Sequence, residues 1–146
     1  MAGEDRPPPK VTRFLLDSGI ASDLINRRGL VPLRAREARL RGDRVGLGTP
    51  VLGELIAGIR NSNDPRRHLT ALWRSVGLLT LWTFDKEAAI EFGRLHAELR
   101  QSGRVMQVPD LQIAAIAAAV GNCVVVSKDS DLRAVPGLTV EDWSLP

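Results

Sequence analysis

The segment Cys123-Val124-Val125-Val126 constrains the fold more than any other in the chain. It is an unbroken apolar run with no polar alternation, so both of its faces must be covered, as in a sheet sandwiched between helices. A second run, Val11 to Leu16, ends in Phe14-Leu15-Leu16 and leads into a helical pattern from Ser18 to Asn26. Ile20, Leu24 and Ile25 form the apolar side of that helix, and Gly29 ends it. Leu33 to Leu40 reads as an arginine-rich helix and Val45 to Leu47 as a short strand. Thr49-Pro50 then opens the helix TPVLGELIAGIR, whose Val51, Leu52, Leu55, Ile56 and Ile59 make one stripe. Asp64-Pro65 repeats the start signal for a helix through Trp73, and LLTLW after Gly77 reads as a strand. Asp85 caps a long helix in which Ala88, Phe92, Leu95 and Leu99 recur at helical spacing until Ser102-Gly103 stops it. Pro109 opens the alanine-rich helix DLQIAAIAAAV, small enough in its side chains to lie close to a sheet, and Gly121-Asn122 ends it. Leu138 to Trp143 reads as an edge strand. Buried strands separated by helices predict a single α/β domain with a mainly parallel central sheet flanked by helices.

The length of 146 residues suits one such domain, expected over 11–146 behind a polar, proline-rich and disordered lead at 1–10. With one cysteine there is neither an internal disulfide nor a thiol-rich zinc site, and His68 and His96 stand too far apart for a histidine cluster. Cys123 reads as a small core residue, His96 as a surface or packed histidine, and Trp73, Trp82 and Trp143 as packing residues. The lead has no apolar signal region and no run approaches the roughly 20 apolar residues of a membrane span, so the cytoplasm is the expected location. Between Arg34 and Arg44, Arg36, Arg39 and Arg41 add to a cluster answered only by Glu37 and Asp43, which suits phosphate contact as well as a solvated helix face. Aromatic residues are 4% with no tyrosine, so any nucleic acid would be held through its backbone rather than by stacked bases. Phosphate-binding loops, dinucleotide fingerprints, zinc-protease helices and serine-hydrolase elbows are all missing.

The remaining chemistry lies in acids. In open parallel sheets ligands bind beyond the carboxyl ends of the strands. Asp17 stands where the first strand ends, Asp129 and Asp131 follow CVVVS in the same way, and Asp110 opens the helix that leads into that strand. A carboxylate ending a buried strand needs hydrogen bonds, a cation or a metal. Each acid also has a plainer role: Asp17 as a helix cap, Asp110 as a dipole partner, Glu54 as a solvated helix residue. Glu54 lies on the flank of its stripe, and Gly58 one turn later suggests close approach at that face. Several carboxylates without a histidine or lysine cluster suit a hard divalent ion such as Mg²⁺, and together with the basic surface they suggest phosphodiester hydrolysis. Two rivals share these residues: a Mg²⁺-dependent phosphoryl-accepting domain in which Lys128 meets the phosphate, and a catalytically inactive binding scaffold.

From about Val11 to Val140 the chain resembles a PIN-domain ribonuclease of the VapC toxin type. The resemblance rests on FLLDSGIASDLIN, TPVLGELIAGIR and GRVMQVPDLQIAAIAAAVGNCVVVSKDSDL in that order. It implies that Asp17, Glu54, Asp110 and Asp129 hold Mg²⁺ or Mn²⁺, with Ser127 positioning a ligand or water and Asp131 an outer contributor. It further implies a metal-dependent endoribonuclease acting on tRNA or rRNA, a homodimer, and silencing by a small antitoxin whose tail fills the site. Arg34, Arg36, Arg39, Arg41 and Arg104 are the candidate RNA-backbone contacts. The chain departs from the family pattern at Gly19, where asparagine is usual, at Leu132, where phenylalanine is usual, and at Met106-Gln107-Val108-Pro109, where glycine is frequent.

Overall fold

The computed structural model describes residues 10–146, so the expected lead, apart from the exposed Lys10, lies outside the described residues. Five strands run in chain order as β1 (Arg13–Leu16), β2 (Arg44–Gly48), β3 (Thr80–Trp82), β4 (Cys123–Val126) and β5 (Thr139–Glu141). They form one sheet in the order β3-β2-β1-β4-β5, and every pair is parallel, beyond the mainly parallel sheet expected. Six helices accompany them: α1 (Ser18–Ile25), α2 (Val31–Leu40), α3 (Thr49–Arg60), α4 (Pro65–Val76), α5 (Lys86–Gln101) and α6 (Val108–Val120). The all-apolar strands are the central ones. Leu15, Leu16, Val125 and Val126 are completely buried, as a strand covered on both faces requires.

The chain moves outward from β1 through β2 to β3, then returns to place β4 on the other side of β1. That reversal makes the β1–β4 boundary the switch point of the sheet, where the carboxyl ends open a crevice. Two close packings fix this geometry. A Cβ on Gly46 of β2 would stand 1.9 Å from the Thr80 carbonyl oxygen, so only glycine lets β3 lie alongside. In α6, Leu111, Ile113, Ala114, Ala115, Ile116 and Ala117 are all buried, and its alanines let it sit tight against α5 and the sheet. Gly121, at φ 75°, then turns the chain from α6 into β4.

Three expectations need correction. The stripe of α3 is only half-buried apart from Val51, because α3 packs by one edge against α1 and α4 rather than beneath a second layer. Gly58 marks no close approach: a Cβ there, or at Gly53, would meet open space. Trp73 is 52% exposed on α4 rather than packed, whereas Trp143 is buried and tilts against Phe14 with ring centroids 5.0 Å apart. The structure also adds a short 3₁₀ helix, Ser130–Ala134, directly after β4, and Leu132 within it is completely buried. The family's phenylalanine position is therefore filled here by a smaller core residue.

Candidate active site

Asp17 is placed by the sheet itself. Its backbone N–H donates to the Val126 carbonyl at 3.1 Å, extending the β1–β4 ladder by one rung, and the Ser127 N–H donates to the Glu141 carbonyl at 2.9 Å. The two residues thus stand side by side at the switch point. The Asp17 carboxylate caps α1, with Oδ1 accepting from the Ile20 N–H at 2.8 Å. Its other oxygen, Oδ2, accepts from the Ser127 hydroxyl at 2.5 Å. Ser127 is the one buried polar residue among the described residues, and its Oγ also accepts from the Asp129 N–H at 2.9 Å. One hydroxyl therefore ties the acid at the end of β1 to the backbone carrying the acid beyond β4. Asp129 in turn caps the 3₁₀ helix by accepting from the Asp131 N–H at 2.9 Å.

Asp110 enters from a third element, the first turn of α6. Desolvation raises its pKa above the ordinary carboxylate value, and the nearby charges of Asp129 and Asp17 raise it further. The pKa of Asp17 is also raised, by burial first, with the Ser127 and Ile20 hydrogen bonds opposing and the Asp129 charge reinforcing. The helix-cap reading of Asp17 and the metal reading are compatible, since only part of its lone-pair capacity is used. Asp131 is exposed and acts on this group through its backbone N–H to Asp129 and through its charge on Asp110.

Glu54 is different. It is exposed on the second turn of α3, at the same end of the sheet, and its carboxylate has no hydrogen-bond or ion-pair partner among the described residues. Lys128, the candidate phosphate partner, instead pairs with Asp23 of α1 at 3.0 Å on the surface. Of the arginines, Arg34 donates to the Leu145 carbonyl at 2.9 Å, and Arg36 is exposed. Arg39 and Arg41 lie toward the carboxyl end of α2, which leads into the start of β2 and so to the end of the sheet away from Asp17. Arg104 is in the α5–α6 connection, the end of α6 that carries Asp110.

The donor set is entirely carboxylate and hydroxyl oxygen, which is what a hard divalent cation takes. The hydrogen bonds to Asp17 and Asp129 come from neutral donors, and Lys128, whose charge partly offsets that of Asp17, is itself paired with Asp23. On both counts the residues fit such an ion. Among the described residues, no three acid, histidine or cysteine side chains converge closely enough to enclose an ion as they stand. Carboxylates bearing like charge spread apart without a cation, and Asp17 and Asp129 are each also held by a cap to the backbone. The acids lie on an open rim, and a cavity of about 490 Å³ lies elsewhere, lined in part by Gly121, Asn122 and Cys123 at the amino end of β4. Burial pushes the Cys123 thiol up to about 12, which makes it an inert packing residue.

A parallel sheet with clustered carboxylates at its switch point defines a class of phosphodiester-cleaving domains, and the sequence profile of the PIN domain matches residues 14–138. The chain belongs to the PIN-domain family and, within it, groups with the VapC ribonucleases. It is 30% identical over 132 residues to the tRNA(fMet)-specific endonuclease VapC of Salmonella typhimurium, spanning 90% of this chain and 98% of that one. The protein of the same name from Shigella flexneri is 31% identical over 133 residues, with the same shares covered. The crystal structure of DNA-bound VapBC from Salmonella typhimurium superposes with a TM-score of 0.82 at 29% identity, covering 91% of this chain and 99% of that chain.

Sequence reasoning expected Asp17, Asp129 and Asp131 on one rim, with Asp110 facing the same region; hydrogen bonds through Ser127 join Asp17 to the backbone of Asp129, and Asp110 lies within reach of their charge. Sequence reasoning missed the Lys128–Asp23 pair, for which a spacing of 105 residues leaves no local signal.

Proposed function

We propose that the chain is the toxin of a toxin–antitoxin pair, an endoribonuclease that hydrolyses an RNA phosphodiester with a divalent ion held by Asp17, Asp110 and Asp129. The observation that carries this reading is that Asp17, Asp110 and Asp129, from three separate elements, act on one another through their charge at the carboxyl end of the sheet. Oxygen-only donors favour Mg²⁺, with Mn²⁺ as the alternative. Such an ion, when bound, supplies Lewis-acid activation of water and neutralises charge at the phosphate. The chain's own residues do the positioning. Ser127 holds Asp17 through a hydrogen bond and fixes the backbone of Asp129, so two of the three acids share one rigid anchor. Glu54, exposed at the same end of the sheet, is free to act as a fourth ligand or to contact a water near the phosphate.

Arg104, close in sequence to Asp110, and Arg36 on the outer side of α2 are the best placed of the candidate backbone contacts. The relatives named for tRNA(fMet) support a structured RNA substrate, and the VapBC neighbours support a small antitoxin partner. A homodimer is proposed on the same family basis, and no described helix is long and apolar enough to cross a membrane.

The test is cleavage of total bacterial RNA by the purified chain with Mg²⁺, with EDTA, and as Asp17→Asn. Discrete fragments that need the ion and fall by at least about 100-fold in the variant are expected, the range for removing an electrostatic catalytic group. Equal cleavage with EDTA, or by the variant, would contradict the assignment.

A further inference from the structure

Beside the acids is a second concavity that the nuclease chemistry does not use. It holds about 290 Å³ and is lined by His96, Leu99 and Arg100 of α5, Arg104 and Met106 of the connection, and Leu111 of α6 among its residues. Leu111 follows Asp110 directly, so the wall of this pocket and a proposed metal-facing carboxylate are consecutive residues about 3.8 Å apart along the backbone. The floor is apolar: Leu99 and Leu111 are buried, and Met106 is half-buried. The rim is basic: Arg100 and Arg104 are exposed and pair with no carboxylate among the described residues. That contrasts with Arg94 on the same helix, which two glutamates already neutralise. His96 stacks one face on Phe92, with centroids 6.3 Å apart and planes 16° apart, and is itself exposed. Val105, 98% exposed, leaves an apolar side chain at the mouth with nothing covering it.

An apolar-floored hollow with cations free of carboxylates at its lip and a stacked imidazole beside it suits a nucleotide: base inward, phosphate on the arginines. The volume lies at the lower end of the range for small-ligand sites, enough for one such group and too small for a folded segment. We infer that this pocket takes the nucleobase of a nucleotide flanking the scissile phosphate and so sets the base preference of cleavage. The inference rests on the nuclease reading above for its place in the reaction, but the pocket's binding is measurable without catalysis. Charge favours an RNA nucleotide over a basic peptide, and an acidic peptide is the competing occupant that the test must exclude.

The chain has two histidines, which makes the measurement direct. His68 lies in a separate hollow against Leu55 and Ile59 and serves as an internal reference. The imidazole signals of the full-length, metal-free protein are followed by NMR during titration with each of the four nucleoside 5′-monophosphates, inorganic phosphate and an acetylated Leu-Glu dipeptide. The expected result is a saturable shift of His96 alone, differing among the bases and absent with phosphate. Arg104→Ala, an exposed substitution that leaves the fold intact, weakens it about tenfold. Met106→Trp, which fills the pocket, abolishes it and redistributes the cut sites in RNA while leaving Mn²⁺ affinity unchanged. No His96 response to any nucleotide, the same response to inorganic phosphate, or a response to the dipeptide alone overturns the inference. Nucleotide binding at His96 without RNA cleavage by the wild type would sink the nuclease reading and leave the pocket standing. Cleavage with a silent His96 does the reverse.

Discussion

The two ends of the sheet treat acidic residues in opposite ways. At the amino end, Asp43 accepts from the Thr12 N–H at 3.1 Å and from Arg41 Nε at 3.3 Å, so its charge is answered within the chain. The same end is closed by Asn122 Nδ2 donating to the Val11 carbonyl at 2.7 Å and by an Arg13 guanidinium nitrogen donating to the Gly121 carbonyl at 3.2 Å. At the carboxyl end, the hydrogen bonds to Asp17 and Asp129 come only from neutral donors, and Lys128, whose charge reaches Asp17, pairs directly with Asp23. A charge that the fold neutralises is serving the fold. A charge left to repel its neighbours costs stability, and the cost is offset only when something outside the chain binds there.

That contrast can be broken at either end. Asp43→Ala removes an ion pair and a backbone hydrogen bond, and should destabilise the protein by about 1–2 kcal/mol in denaturant unfolding without changing RNA cleavage. A loss of cleavage in the folded variant would mean that the two ends are not separate. Asp110→Asn should do the opposite, raising metal-free stability by no more than about 1 kcal/mol, since the group is partly exposed and screened, while stopping cleavage. The pH dependence has the same origin. The pKa values of Asp110 and Asp17 are raised in the fold, so their contribution to stability is fully present below the ordinary carboxylate value and is lost as pH rises through the raised values. Melting curves of the metal-free wild type and Asp110→Asn should therefore coincide at the acid side of that window and separate above it, the variant being the more stable. A constant difference across pH would count against repulsion as the cause. Glu54→Gln should be the mildest change, within about 0.5 kcal/mol in stability, because its carboxylate is exposed and unpartnered. Its effect on cleavage then reports directly whether the fourth acid takes part.

Much of this was legible in the sequence because it is local. The unbroken apolar runs announced the central strands, Asp85 and Asp64 announced their helices by capping them, and acids placed just after strands fell on one rim by topology. What the sequence did not show is what depends on distant pairing. The hydrogen bond from Ser127 to Asp17 joins residues 110 apart, and only the parallel register of β1 and β4 makes them neighbours. The same limit explains Gly58, whose mid-helix position looked like a close approach but whose surroundings are open. Gly19 shows the converse. A Cβ there would sit 3.8 Å from Asp17 Oδ1, ordinary contact, so nothing in the backbone at this position demands glycine.

The central claim, that the carboxyl-end acids form one divalent-metal site, is tested most directly by calorimetric titration of Mn²⁺ into the wild type, Asp110→Asn and Asp43→Ala. The account predicts saturable binding to the wild type and Asp43→Ala alike, weakened at least about tenfold in Asp110→Asn, the loss of one charged ligand. Equal affinity in all three proteins, or no binding to the wild type, would contradict it.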